Sequence, residues 1–198
     1  MFKKLIGILY LFFSAYTSTA QGSIDSFPLL QNLSSFELVP VQDQDNTPGH
    51  LSKKPLSLFI FLSPECPLCQ NYAFAIRRLK ARFNDQVNFY GIFPGNAYTQ
   101  ADIHSFEKKY KTGIGLYLDE SKKLTRYLNA TVTPQVILLN NNENQVYSGA
   151  IDDWVQGLGK KKQRASQHYL QDAIEQSLQS VIVKTARTKA FGCKINDY

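Results

Sequence analysis

A continuous apolar run, Leu56 to Leu62 with one serine inside it, ends at Ser63-Pro64-Glu65 and leads straight into Cys66-Pro67-Leu68-Cys69. Bounded by Pro55 and Pro64 and never alternating with polar residues, it is the pattern of a central strand covered on both faces. Beyond it, Leu68, Tyr72, Ile76, Leu79 and Phe83 recur at helical spacing, while Arg77, Arg78, Lys80 and Arg82 lie mostly off that stripe. An amphipathic helix from Cys66 to Phe83 is predicted. A fold that satisfies both patterns delivers two cysteines to the first turn of a helix. There, unpaired backbone N–H groups and the positive end of the helix dipole favour a negative sulfur. Pro67 suits the first helical position, where a missing N–H costs nothing. Cys69, one turn further on, is expected to face inward beside the core stripe, leaving Cys66 at the exposed end.

The rest of the chain alternates in the same way. Val87 to Phe93 reads as a second buried strand, and Thr99 opens a helix carrying Ile103, Phe106 and Tyr110 on one face, with Asp102 completing a cap. A short helix from Ser121 to Leu128 precedes Thr131-Val132-Thr133-Pro134. Gln135 to Leu139 and Gln145 to Ser148 then form an antiparallel hairpin about a turn at Asn140 to Asn144, and a last helix spans His168 to Leu178. Upstream, Phe36 to Val39 is expected to be a strand and Asp43 to Gly49 a turn-rich connection. Alternating strands and helices argue for an α/β layer structure.

A chain of 198 residues with 43% hydrophobic, 13% aromatic and 19% charged residues has the size and composition of one globular domain. Its first residues read as a signal peptide, residues 1–20: Lys3 and Lys4, then the apolar run Leu5 to Phe13, then Ser18-Thr19-Ala20 as a cleavage site. That run is short of the ~20 residues a membrane span needs. Residues 21–55 form an N-terminal extension, 56–180 the main domain and 181–198 a tail carrying Cys193. An exported, periplasmic or secreted protein is expected. Removing Lys3 and Lys4 takes the formal charge from +6 to +4 (6 − 2), too mild to imply nucleic acid. The densest basic run, Lys160 to Arg164, is expected to be a solvated loop.

Three cysteines are too few for a disulfide-stapled scaffold. In an oxidising compartment, a close pair plus a third thiol points to redox exchange. An accessible thiolate at Cys66 attacks a disulfide, and the shielded Cys69 resolves the mixed disulfide. A zinc site would need a second Cys or His pair at similar spacing, and Cys193, His50, His104 and His168 are scattered. No metal and no cofactor is expected.

From Phe36 to about residue 180, the order strand, Cys-x-x-Cys helix, strand, helix, Thr-Pro, hairpin, final helix resembles the thioredoxin superfamily. The long segment between Val87 and Thr133, and the Gly192-Cys193 tail, resemble its extracytoplasmic redoxin branch, TlpA-like and adjoining the peroxiredoxins. The resemblance implies a three-layer sandwich, a mixed central sheet with helices on both faces. It also implies a cis-proline loop at Thr133 and Pro134 that binds an extended substrate beside Cys66, and a matching glycine at Gly149. Implied partners are protein or small-molecule disulfides and thiols and a redox partner that gives or takes electrons.

Three positions depart from the family pattern. Glu65 stands where a tryptophan usually precedes the first cysteine, and its charge is expected to oppose thiolate formation. Ile60 replaces the buried aspartate that accepts the inner thiol's proton, and Pro67-Leu68 replaces the usual dipeptide. Two rival readings remain. In a peroxiredoxin-like peroxidase Cys66 would be peroxidatic, with Ser63 three residues before it and Cys193 as a distant resolving thiol, although Phe59 stands where that family has proline. In a copper-binding chaperone on the same scaffold, His168 would join the thiolates.

Overall fold

The computed structural model describes Leu33 and residues 36–41, 54–157 and 159–196. The expected signal peptide and the Asp43 to Gly49 connection lie outside these residues. Strand β1 (Val39–Pro40) is shorter than the sequence predicts, because Phe36 and Leu38 point into a core instead of joining a ladder. The apolar run forms β2 (Leu56–Phe61), with every residue buried. Helix α1 (Pro67–Phe83) follows, then β3 (Val87–Pro94) and α2 (Gln100–Tyr110). Next come β4 (Gly115–Asp119), α3 (Lys123–Tyr127) and β5 (Val132–Thr133). The hairpin is β6 (Gln135–Asn140) and β7 (Gln145–Gly149). A small ribbon, β8 (Val155–Gly157) and β9 (Lys160–Lys161), precedes α4 (Tyr169–Leu178) and a last strand, β10 (Cys193–Lys194).

Six strands form one mixed sheet in the order β1-β4-β3-β2-β6-β7. Strand β2 is central, parallel to β3 and antiparallel to β6. Alternate side chains therefore feed opposite layers. Leu58, Ile60 and Leu62 meet Tyr72, Ile76 and Phe83 of α1 together with residues of α2 and α4. Phe59 and Phe61 meet Leu124 and Leu128, in and just after α3, with Leu33, Phe36 and Leu38. Helices thus lie on both faces of a mixed sheet, three on one side and the short α3 on the other. Burial on both faces is why β2 has no polar alternation.

On α1, Cys69 is buried as expected, while Leu68, placed on the apolar stripe, is only half-buried against the core. The capping box on α2 is formed as predicted, with the Thr99 side chain accepting from Asp102 N–H and the Asp102 carboxylate accepting from Thr99 N–H at 2.8 Å. The basic run at Lys160 is not wholly a loop. Lys160 and Lys161 make the exposed strand β9, and Lys162 turns in to pair with Asp153. No helix among the described residues is long and apolar enough to cross a membrane.

After α4 the chain crosses back to the hairpin. Ser148 N–H donates to Ala186 O at 3.0 Å, Thr188 N–H to Ser148 O at 3.0 Å, and Ala150 N–H to Thr188 Oγ1 at 2.9 Å. The tail then reaches the end of β2 and pairs β10 antiparallel with β5, Cys193 opposite Thr133 and Lys194 opposite Val132.

Candidate active site

Strand β2 ends at the mouth of α1, and the chain turns there through Ser63-Pro64-Glu65, with Cys66 N–H donating to Ser63 O at 3.2 Å. Cys66 is the N-cap of α1 in extended conformation, and Pro67 occupies the first turn, as the spacing predicts. No acidic residue lies in that turn, so nothing there offsets the positive end of the helix. Cys69 is fully buried one turn on, and all three cysteines are free thiols.

The loop before β6 closes the other side. The Thr133–Pro134 peptide bond is cis, and the Thr133 carbonyl oxygen lies 3.0 Å from Cys66 Sγ. The third sulfur arrives from the tail, where Cys193 Sγ is 2.8 Å from Cys66 Sγ. Thus Cys66, Cys69, Thr133, Pro134 and Cys193 are brought together from three distant parts of the chain.

This arrangement corrects the expected exposure of Cys66. Its relative exposure is 1%, because the tail strand lies against it, and Cys193 is the exposed cysteine. The backbone edge at Thr133, expected to receive a substrate, is already paired with Cys193. Gly192 permits that approach, since a β-carbon there would come within 2.6 Å of the Thr133 carbonyl carbon.

The electrostatics are unequal across the three sulfurs. The Cys69 thiol, and after it the Cys193 thiol, donate to Cys66 Sγ and hold its pKa well below the ordinary thiol value of 9.0, although burial pushes it up. As a thiol, Cys66 donates to the Thr133 carbonyl; as a thiolate it faces that oxygen unfavourably, but two S–H donors and the helix terminus favour the charge. Burial, then the hydrogen bond to Cys66 and its charge, push Cys69 well up and Cys193 up to about 12. The Glu65 carboxylate is not among the largest influences on the Cys66 sulfur. Glu65 is exposed and accepts from Tyr98 Oη at 3.4 Å, and that tyrosine also receives the Ser63 hydroxyl at 2.9 Å. Ile60 is buried in the core, so no carboxylate stands on β2 to take the Cys69 proton.

His168 caps α4 and is exposed, and among the described residues no three His, Cys, Asp or Glu side chains are arranged to hold a metal ion. Sequence reasoning missed Lys122, which donates to Asn196 O and pins the tail. It also missed Tyr98. A cavity of about 340 Å³ opens between the loop Gly95 to Tyr98 and the tail, lined by Cys193 and Thr133 but by neither Cys66 nor Cys69.

No protein-family model matches the chain, and no curated protein matches it in sequence. Solved structures do match. An uncharacterized conserved protein from Geobacillus kaustophilus superposes with a TM-score of 0.70 at 18% identity, over 82% of this chain and 88% of that one. A thioredoxin-like protein from Aeropyrum pernix gives 0.53 at 14% identity, over 75% and 90%. A secreted Mycobacterium tuberculosis disulfide oxidoreductase homologous to E. coli DsbE gives 0.50 at 17%, over 59% and 84%. At these identities the likeness is one of fold, and the chain has a thioredoxin-like fold.

Proposed function

We propose that this thioredoxin-like chain is an exported thiol-disulfide oxidoreductase in which Cys66 attacks and Cys69 resolves. The observation that carries the reading is the stabilised Cys66 sulfur at the N-terminus of α1, with Cys69 one turn below and the Thr133–Pro134 loop beside it. The Cys66 thiolate attacks one sulfur of a disulfide, a Cys66–substrate bond forms, and the other sulfur leaves as a thiolate. Cys69 then loses its proton and attacks Cys66, the Cys66–substrate bond breaks, and the second sulfur leaves. The chain is oxidised and the substrate reduced by two electrons; the reverse sequence oxidises a dithiol.

Burial alone would keep Cys69 protonated. Part of its elevated pKa comes from the charge and hydrogen bond of Cys66, and both vanish when Cys66 is tied up in a mixed disulfide. Cys69 therefore becomes easier to ionise at the step where it must act, with the departing thiolate as acceptor in place of the missing carboxylate. Export rests on the leader-like residues 1–20, and the secreted oxidoreductase of the same fold supports it.

The test is the reduction potential of the Cys66–Cys69 couple in chain lacking residues 1–20, equilibrated against glutathione. A reversible two-electron couple is expected; a value near thioredoxin's ~−270 mV marks a reductase, and one near DsbA's ~−120 mV an oxidant. Reduced protein that forms no Cys66–Cys69 disulfide and does not react with a model disulfide overturns the reading.

A further inference from the structure

Cys66, the cysteine expected to meet substrates, is buried, and the tail cysteine Cys193 is exposed. Cys193 is exposed, lies 2.8 Å from Cys66, and occupies the backbone position opposite Thr133 that an extended substrate would take. The tail is held there by specific bonds: Ile195 N–H to Thr131 O at 2.9 Å, Thr133 Oγ1 to Cys193 O at 3.5 Å, and Lys122 to Asn196 O. The cavity beside it is lined by Cys193 and by neither other cysteine.

We propose that Cys193 is an internal exchange partner, through which the buried pair passes its disulfide to thiols outside. The proposal rests on the oxidoreductase reading and adds a third reacting sulfur to it. In the oxidised chain the Cys193 thiolate attacks Cys66 Sγ: a Cys66–Cys193 bond forms, the Cys66–Cys69 bond breaks, and Cys69 leaves and takes up the proton Cys193 lost. No electrons enter or leave in this step. An external thiolate then attacks Cys193 Sγ and Cys66 departs as a thiolate. A second external thiolate attacks the outer sulfur and releases Cys193, so the external pair is oxidised and the chain reduced by two electrons. Cys66 is the favoured leaving group in the second step because Cys69 donates to it. With Cys66 in a disulfide, the charge that suppresses ionisation of Cys193 is gone.

The experiment uses Cys69→Ser in chain lacking residues 1–20, equilibrated in about 1 mM oxidised and reduced glutathione, acid-quenched, alkylated and mapped by mass spectrometry. A sulfur held in contact has an effective concentration above the glutathione present, so Cys66–Cys193 should exceed glutathionylated Cys66 by about tenfold. Gly192→Ala added to this variant pushes the tail off the Thr133 carbonyl without touching a sulfur, and should reverse that ratio. Glutathione on Cys66 with Cys193 free in Cys69→Ser overturns the proposal and leaves the oxidoreductase reading standing. A Cys66 that takes neither partner overturns both. Should Cys69→Ser fail to fold, Gly192→Ala alone decides: in reduced protein it should raise the alkylation rate of Cys66 about tenfold, a rate set by access to the thiolate, and an unchanged rate overturns the proposal.

Discussion

Gly149 and Thr188 are packed so closely that a β-carbon on the glycine would collide with the Thr188 side chain and lie 2.8 Å from its backbone nitrogen. Gly149 also sits at φ +149, where a side chain is strained in any case. Thr188 Oγ1 shares a 2.6 Å contact with Tyr147 Oη and accepts from Ala150 N–H, so this notch fixes where the tail crosses β7. Gly149→Ala should destabilise the protein by about 2–4 kcal/mol, combining backbone strain with overpacking. Urea unfolding followed by the fluorescence of Trp154, the single tryptophan, measures this. A wild-type midpoint would mean the tail crossing is dispensable.

The same notch shows where local pattern stops being informative. Strand β2, the α1 stripe, the Thr99–Asp102 box and the β6–β7 hairpin are legible because each is specified by neighbours in sequence. The Cys66–Cys69 pair and Thr133-Pro134 are legible as motifs. Strand β4 is not expected, because Leu116 and Leu118 make only a short alternation after Gly113 and Gly115. The tail from Thr185 to Phe191 has no apolar period at all. Its order comes from backbone pairing across long sequence separations and from two missing side chains, at Gly149 and Gly192. The exposure of Cys66 is reversed for that reason: it depends on a strand 127 residues away.

Reduced protein should show one thiolate at neutral pH by absorbance at 240 nm, lost in Cys66→Ser. Cys69→Ala should move its titration up toward 9.0 more than Cys193→Ser does, because Cys69 is the stronger donor. The folded pKa of Cys66 lies below its unfolded value, so the folded state binds fewer protons between the two. Reduced wild type should therefore gain stability over Cys66→Ser as pH rises toward 9.0, and lose that margin as pH falls through the depressed value. Parallel stability curves would show that the thiolate is not favoured in the fold.

Asp153 joins the β8–β9 ribbon to the start of α4. Although burial pushes its carboxyl up, Lys162 and the Gln167 and Ser166 donors outweigh this and hold the pKa below the usual range. Ser166 N–H and Gln167 N–H donate to one oxygen at 2.7 and 3.0 Å, and Ser166 Oγ donates to the other at 2.7 Å. Asp153→Asn should cost about 2 kcal/mol at pH 7, the scale of hydrogen bonds to a charged group. Because the folded pKa is depressed, this margin is present above the unfolded value of 3.8 and disappears as pH falls through the folded one. Wild type and variant should converge in acid; a constant gap down to low pH would assign the loss to packing.

Ser63 separates peroxide chemistry from thiol exchange. In the peroxidase reading its hydroxyl would orient peroxide at Cys66, but here it donates to Tyr98 Oη at 2.9 Å, while the Ser63 carbonyl accepts the Cys66 N–H. The turn that places Cys66 therefore uses the Ser63 backbone and not its side chain. Ser63→Ala should leave the rate of exchange with a model disulfide close to wild type, and neither protein should consume peroxide faster than a free thiol does. A catalytic peroxide rate in wild type that collapses in Ser63→Ala would mean that the hydroxyl leaves Tyr98 to serve Cys66. The Cys66–Cys193 contact would then be the resolving step of a peroxidase. Unchanged exchange, with no peroxide rate to lose, would leave Cys66 as a sulfur that reacts with other sulfurs.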